Sequence, residues 1–356
     1  MRILVLTGMF GNGHKSAADA VKDELEHKYE DADVVIVDLF AYILRIFSRP
    51  VYKLFNIIAS KYHGLYNAMD KVDEDVKGTP LEKAFNYRFD KLIREYSPDV
   101  LVSTWPVGAK YVGDYIKKKN NAIPYIICIT DIQTNNAWIS DSSDAYIVGD
   151  ETTGQELVGK GVDPEKIYVG GIPVRKEFKS MERKTTNKNI KEVLVMGGGL
   201  GLIPGAADML KYLSAEPDVH TTVITGENRE LFDKLNGKYE NVDVLGYCND
   251  VYRYMAKSDM LISKAGGVTL FEAIYSETPM LVIDPFLSQE KTNAMYIERK
   301  NIGKVLHNGD DIEACLESML NGSSEIMKMR NNMRCIKNKI SGHGLPEAIE
   351  EIRKNA

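Results

Sequence analysis

The stretch 262–293, ISKAGGVTLFEAIYSETPMLVIDPFLSQEKTN, decides how the rest of the chain is read. A short apolar run ends at Lys264 and two adjacent glycines, Gly266 and Gly267, after which a helical pattern carries Thr269 and Glu272. A second apolar run, 279–283, delivers a predicted loop with Gln289, Glu290 and Asn293. Glycine at a helix N-terminus lets bare N–H groups approach an anion, and the helix dipole adds about half a positive charge there. Lys264 would add a full one. Glu272, Gln289 and Glu290 offer acceptors for hydroxyl groups. Diphosphate, ribose and a polar sugar are the ligand parts this layout suggests. The competing reading is a helix packed closely on its strand, with glycine present for steric reasons.

The same grammar extends in both directions. In the second half, a strand over 192–196 runs into Gly197-Gly198-Gly199-Leu200-Gly201 and a helix over 206–214. Strands follow at 220–225, 242–245 and 260–263, and helices at 252–257, 311–320 and 324–340. The first half opens with RILVLT, residues 2–7, a short apolar run bounded by glycine of the kind a buried parallel strand shows. A loop over 8–13, a helix over 15–29 and a strand over 33–38 complete a β-loop-α-β unit. Gly11-x-Gly13-x-x-Ser16 with Asp38 partly mimics a dinucleotide-binding fingerprint, but the third glycine is missing. His14 has no evident part in a pyrophosphate cradle. Further strands are expected at 100–103, 125–130 (ending on Asp131), 145–148 and 167–170.

This pattern predicts two consecutive α/β domains, 1–175 and 191–340, joined by a polar linker at 176–190. A helical tail, 341–356, is expected to pack back toward the first domain. Ligands belong at the carboxyl ends of the strands, in a cleft between the domains.

Composition narrows the function classes. The chain has 356 residues, 44% of them hydrophobic and 27% charged, ordinary values for a soluble globular protein. A net charge of -6 argues against a nucleic-acid partner. Cys128, Cys248, Cys315 and Cys335 form neither a CxxC pair nor a metal-ligand spacing, which fits reduced thiols in the cytoplasm and no metal site. No apolar run reaches the ~18 residues of a membrane span. Residues 40–72 depart from the acidic average. They are dense in aromatics and carry Arg45, Arg49, Lys53, Lys61 and Lys71 against one acid, Asp70. Basic and aromatic residues on amphipathic helices suit an anionic membrane surface, and Pro50 is expected to break this segment into two helices.

These residues together resemble a family. Gly11-x-Gly13-His14-x-x-Ala17-Ala18, Gly171-Ile172-Pro173-Val174, Lys264-x-Gly266-Gly267-x-Thr269-x-x-Glu272-Ala273 and Gln289-Glu290-x-x-Asn293 are similar to motifs of monogalactosyldiacylglycerol synthases and processive diacylglycerol glucosyltransferases, in glycosyltransferase family 28. The resemblance runs in register over nearly the whole chain. It implies a GT-B fold, two Rossmann-like domains facing an interdomain cleft, and an inverting transfer of a hexose from a UDP-sugar to a diacylglycerol-type lipid. No metal or other cofactor is implied. The place of action would be the cytoplasmic, inner face of the cell membrane, with the enzyme peripheral.

By the same resemblance Glu272 holds the ribose and Gly266, Gly267 and Thr269 the diphosphate, with Lys264 beside them. Gln289 and Glu290 read sugar hydroxyls, Asn293 supports them, and Gly198 and Gly199 close on the nucleotide. His14 is the candidate base, with Asp131 as competitor or partner. Gly13, Arg45, Arg49, Lys53, Trp105 and Trp138 fall on the acceptor and membrane side. Two departures concern the acceptor side and the sugar preference: Asn135 and Asn136 precede Trp138 where a histidine is common, and Leu287-Ser288 replaces a frequent Pro-Gly.

Overall fold

The computed structural model describes residues 1–61, 82–181, 190–203, 205–283, 285–307, 309–340 and 343–355. It divides into two units, Met1–Lys176 with Ile340–Ala356, and Glu177–Lys339. In the first, β1 (Arg2–Thr7), β2 (Asp33–Asp38), β3 (Val100–Ser103), β4 (Tyr125–Cys128), β5 (Ala145–Val148) and β6 (Ile167–Val169) form a parallel sheet. Its order is β2-β1-β3-β4-β5-β6, the flavodoxin type of doubly wound sheet with one strand more. The apolar runs arise because this sheet is buried on both faces. Leu4 and Leu6 enter one core, while Ile3 and Val5 enter the other.

Six helices of this unit are α1 (Gly13–Lys28), α2 (Leu39–Leu44), α3 (Ser48–Lys61), α4 (Glu82–Tyr96), α5 (Pro106–Lys119) and α6 (Glu151–Gly159). Pro50 does not make the expected break. It sits in the first turn of α3, where its missing N–H costs nothing. The break lies at Arg45, which ends α2 with φ 53° and starts a short 3₁₀ turn, Arg45–Phe47. Residues 62–81, including the predicted basic position Lys71, lie outside the described part.

Residues 176–181 are not the bare linker that their polarity predicts. They begin with α7 (Lys176–Ser180), whose Phe178 is 1% exposed and packs edge-on against Tyr252. Residues 182–189 of the predicted linker lie outside the described part.

The second sheet contains β7 (Lys191–Met196), β8 (Val219–Ile224), β9 (Val242–Leu245), β10 (Met260–Ser263), β11 (Met280–Ile283) and β12 (Gly303–Leu306). Its order, β12-β11-β10-β7-β8-β9, is that of the dinucleotide-binding doubly wound fold, strand for strand. Its helices are α8 (Ala206–Ala215), α9 (Arg229–Leu235), α10 (Val251–Lys257), α11 (Gly267–Ser276), α12 (Ser288–Arg299), α13 (Ile312–Asn321) and α14 (Ser323–Ile340). Sequence reasoning missed β12 and α9, both short. It also assigned Gln289, Glu290 and Asn293 to a loop, whereas they lie on α12.

The last helix, α15 (Leu345–Asn355), belongs to the first unit. Leu345, Ala348 and Ile349 join the core with Ile3 and Val5, and Tyr29 donates its hydroxyl to the Pro346 carbonyl at 3.2 Å.

Candidate functional site

A doubly wound sheet has one place where the strand order reverses, and loops leaving the strands on either side of it splay apart to make a crevice. In the second unit that place lies between β7 and β10, whose carboxyl ends are paired at Met196 and Ser263. The glycine loop 197–201 leaves one strand, and Lys264-Ala265-Gly266 leaves the other. Topology thus sets the two predicted donor loops, far apart in sequence, beside each other.

The α11 N-terminus carries no side-chain cap. The Gly266 N–H is already engaged by the Lys264 carbonyl at 3.0 Å, so Gly267, Val268 and Thr269 supply the first-turn donors. Steric necessity does not account for Gly266. Its φ is -74°, and a Cβ there would meet nothing nearer than the Thr269 Oγ1 at 3.7 Å. Gly201 is the opposite case: a Cβ would stand 1.8 Å from the Thr225 carbonyl, so that turn tolerates only glycine. Gly198 is open, while Gly199 is tied by its carbonyl to the Glu227 N–H at 2.9 Å. Gly266→Ala is therefore expected to leave the melting temperature within about 2 °C of wild type while weakening UDP binding more than tenfold. Thermal melts with and without UDP read both, and a Tm loss with unchanged UDP affinity would restore the steric reading.

Five predicted residues lie on this helix or on the elements beside it. The Lys264 ammonium meets the Glu290 carboxylate at 3.1 Å, with Glu290 5% exposed. Asn293, fully buried, donates Nδ2 to the Ala265 carbonyl at 2.9 Å and so ties α12 to the loop that opens α11. Glu272, in the second turn of α11, is 8% exposed. Gln289 is half-buried at the start of α12. Asn293 thus holds two elements in register through one backbone carbonyl.

In the first unit the order reverses between β1 and β3, paired at Leu6 and Ser103. His14, the second residue of α1, leaves from one side and Thr104-Trp105 from the other. The His14 Nδ1 lies 3.1 Å from the Thr130 Oγ1, and the Thr104 hydroxyl donates to the His14 carbonyl at 3.2 Å. Burial lowers the His14 pKa to about 4, partly offset by a hydrogen bond to the Thr104 backbone. The imidazole is therefore neutral, and able to accept a proton, throughout the physiological range. Thr104 and Thr130 went unnoticed in the sequence; both stand beside singled-out residues, Trp105 and Asp131. Asp131 itself is half-buried in the bend after β4.

The aromatic candidates are packed inward. Trp138 is 1% exposed and lies edge-on to His14 with centroids 6.5 Å apart. Trp105, 8% exposed, stacks on Phe10 at 5.3 Å. Neither offers a ring to a membrane. Gly13 is open, with nothing within 4 Å of a notional Cβ. Arg45, Arg49 and Lys53 are exposed beside Ile46, Phe47, Val51, Leu54 and Ile57, which are 79, 66, 38, 57 and 41% exposed. Asp38, the residue of the partial fingerprint, is committed elsewhere: its Oδ1 caps α2 through the Ala41 N–H at 2.9 Å and accepts the Tyr52 hydroxyl at 2.7 Å.

Residues 14–174 match the family model described as monogalactosyldiacylglycerol (MGDG) synthase, and residues 192–352 match the glycosyltransferase family 28 C-terminal domain. The chain belongs to glycosyltransferase family 28. The processive diacylglycerol beta-glucosyltransferase of Bacillus pumilus is 27% identical, over 98% of this chain and 94% of that protein. Solved structures share the fold. A putative UDP-N-acetylglucosamine 2-epimerase from Listeria monocytogenes aligns with TM-score 0.61 at 15% identity, covering 93% of this chain and 90% of its own. MurG of Acinetobacter baumannii aligns with TM-score 0.59 at 15% identity, covering 99% and 97%. The two sheets of this family 28 chain are those of the GT-B fold.

Proposed function

We propose that the chain transfers a hexose from a UDP-sugar to diacylglycerol, or to a glycosylated diacylglycerol, at a membrane surface. It is a UDP-sugar-dependent hexosyltransferase of glycolipid synthesis. The observation that carries this reading is the family 28 match over both units, with the uncapped α11 N-terminus, Lys264 and buried Glu272 at the switch point of the second sheet.

In the reaction, the acceptor hydroxyl oxygen attacks the anomeric carbon of the sugar. A carbon–oxygen bond forms as the bond to the diphosphate breaks, so configuration inverts and UDP departs. His14 takes the hydroxyl proton; a neutral imidazole is competent for this and an imidazolium is not. The N–H groups of Gly267, Val268 and Thr269 and the Lys264 ammonium stabilise the charge that develops on the diphosphate. Glu272 receives the ribose hydroxyls, and Gln289 and Glu290 those of the sugar. The proposal gives no metal ion or other cofactor a part.

The acceptor is a lipid, and the segment 45–57 is suited to reach it. Exposed Val51, Leu54 and Ile57 with Arg49 and Lys53 on α3, and Ile46 and Phe47 with Arg45 in the turn before it, would seat this segment in the headgroup region of an anionic leaflet. No described helix is long and apolar enough to cross a membrane. We place the enzyme at the inner face of the cell membrane as a peripheral protein. Neutralising Arg45, Arg49 and Lys53 together is expected to weaken sedimentation with anionic vesicles on the order of a hundredfold, at about 1 kcal/mol per charge. UDP binding should not change.

The direct test is incubation with radiolabelled UDP-glucose or UDP-galactose and diacylglycerol in anionic vesicles. Labelled glycolipid is expected from one donor. No labelled lipid from either would sink the reading. Label found only on a polyprenyl carrier would move the acceptor to another lipid. UDP binding without turnover would leave a non-catalytic nucleotide-sugar-binding protein.

A further inference from the structure

Helix α3 has two faces, and only one is accounted for by a membrane. Tyr52 and Phe55 point the other way, into an aromatic cluster built around Phe10. The Phe10 ring lies 4.8 Å from Phe40, 4.8 Å from Tyr52 and 4.9 Å from Phe55, and stacks on Trp105. Phe10 belongs to the loop between β1 and α1, four residues before His14.

The Tyr52 hydroxyl does more than fill space. It donates to the Asp38 Oδ1 at 2.7 Å and accepts the Met9 backbone N–H at 3.2 Å. Asp38 is fixed in turn by the strand β2 behind it and by the Ala41 N–H. One hydroxyl thus joins the end of β2, the exposed helix α3 and the backbone of the loop that leads into His14. Burial and the Asp38 carboxylate both raise the Tyr52 pKa, so the hydroxyl keeps the proton it donates.

We propose that Tyr52 is a positioning residue, holding the loop 9–13, and through it His14, in register with the amphipathic helix α3. The loop needs such a tie. Gly11 and Gly13 have open space around them, α1 has no side-chain N-cap, and Asn12 supplies only its carbonyl to the Ser16 N–H. The Phe10 ring anchors the loop by its side chain, and the Met9 N–H to the Tyr52 hydroxyl adds a backbone hydrogen bond from outside the loop that fixes its register. Since the same helix carries the exposed apolar face, seating α3 in a leaflet and ordering the His14 loop are coupled through this residue. That coupling rests on the proposed function; the hydrogen-bonded tie does not.

Tyr52→Phe tests the tie, because it keeps the ring in its cluster and removes only the hydroxyl. Amide hydrogen exchange on the full chain is expected to speed up about tenfold over residues 9–13, with β1 and β3 unchanged. If wild type and Y52F exchange alike over 9–13, the proposal is overturned, whatever the enzyme transfers. With diacylglycerol vesicles, kcat is expected to fall about tenfold while UDP affinity and vesicle sedimentation stay at wild-type values. Unchanged kcat, or kcat and vesicle binding falling together, would mean that Tyr52 merely packs α3. If wild type transfers no sugar to lipid, the proposed function has failed and the exchange result alone decides the tie.

Discussion

His14→Ala is expected to lower kcat by about 10²–10⁴, the usual worth of a positioned general base, with the UDP dissociation constant unchanged. The separation follows from placement. His14 stands at the switch point of the first sheet, and the proposed donor loops stand at the switch point of the second. The pH profile supplies an independent check. Protonation removes the base, so kcat/KM should fall as pH drops through the His14 pKa, and burial lowers that pKa to about 4 rather than the ordinary 6.5. Activity should therefore persist at pH 5–6, where an exposed histidine would already be charged. An acid limb near 6.5 would mean that burial does not depress the His14 pKa, and a larger loss in Asp131→Asn than in His14→Ala would transfer the role of base to Asp131. Parallel UDP titrations settle whether either mutant has disturbed the donor side.

Glu272→Ala is expected to show the complementary pattern, with UDP affinity reduced by roughly 1–3 kcal/mol, about 5- to 150-fold. The ribose hydroxyls would lose a charged acceptor in a site that is 92% shielded at that residue, since Glu272 is 8% exposed. Donor KM should rise accordingly, while kcat at saturating donor should change less. Isothermal titration with UDP, alongside a thermal melt of the free protein, separates binding from folding. If the melting temperature falls and UDP affinity does not, Glu272 is a packing residue of α11. If both His14→Ala and Glu272→Ala lose nucleotide equally, the division of labour between the two units is wrong.

Much of the second unit could be read locally. The strand–Lys264–Gly266-Gly267–helix pattern needs only apolar runs, punctuation by glycine and a helical period, all of them properties of neighbouring residues. Helix α12 was not legible in the same way. The stretch after β11 was expected to be a loop carrying Gln289, Glu290 and Asn293, and packing of Asn293 and Glu290 against the Lys264 loop supports the helix found there. Pro50 misled for a related reason. Proline is compatible with the first turn of a helix, and here the chain had already left the helical region five residues earlier, at Arg45, so Pro50 falls in the opening turn of the next helix.

The sequence by itself determined that this is an α/β protein of two doubly wound halves. It also supplied the motif order that assigns the family and the candidates for the donor-side groups. Strand order was decided only by the tertiary structure. The pairing of β7 with β10 brings the Gly197 loop to Lys264, and the pairings of β1 with β3 and of β3 with β4 bring Thr104 and Thr130 to His14. The last contact spans 116 positions of chain. Hydrophobic periodicity reports which face of an element is buried, a local property. It carries no information about which strand lies alongside, because every apolar strand of a parallel sheet presents the same two buried faces and the same backbone hydrogen bonds.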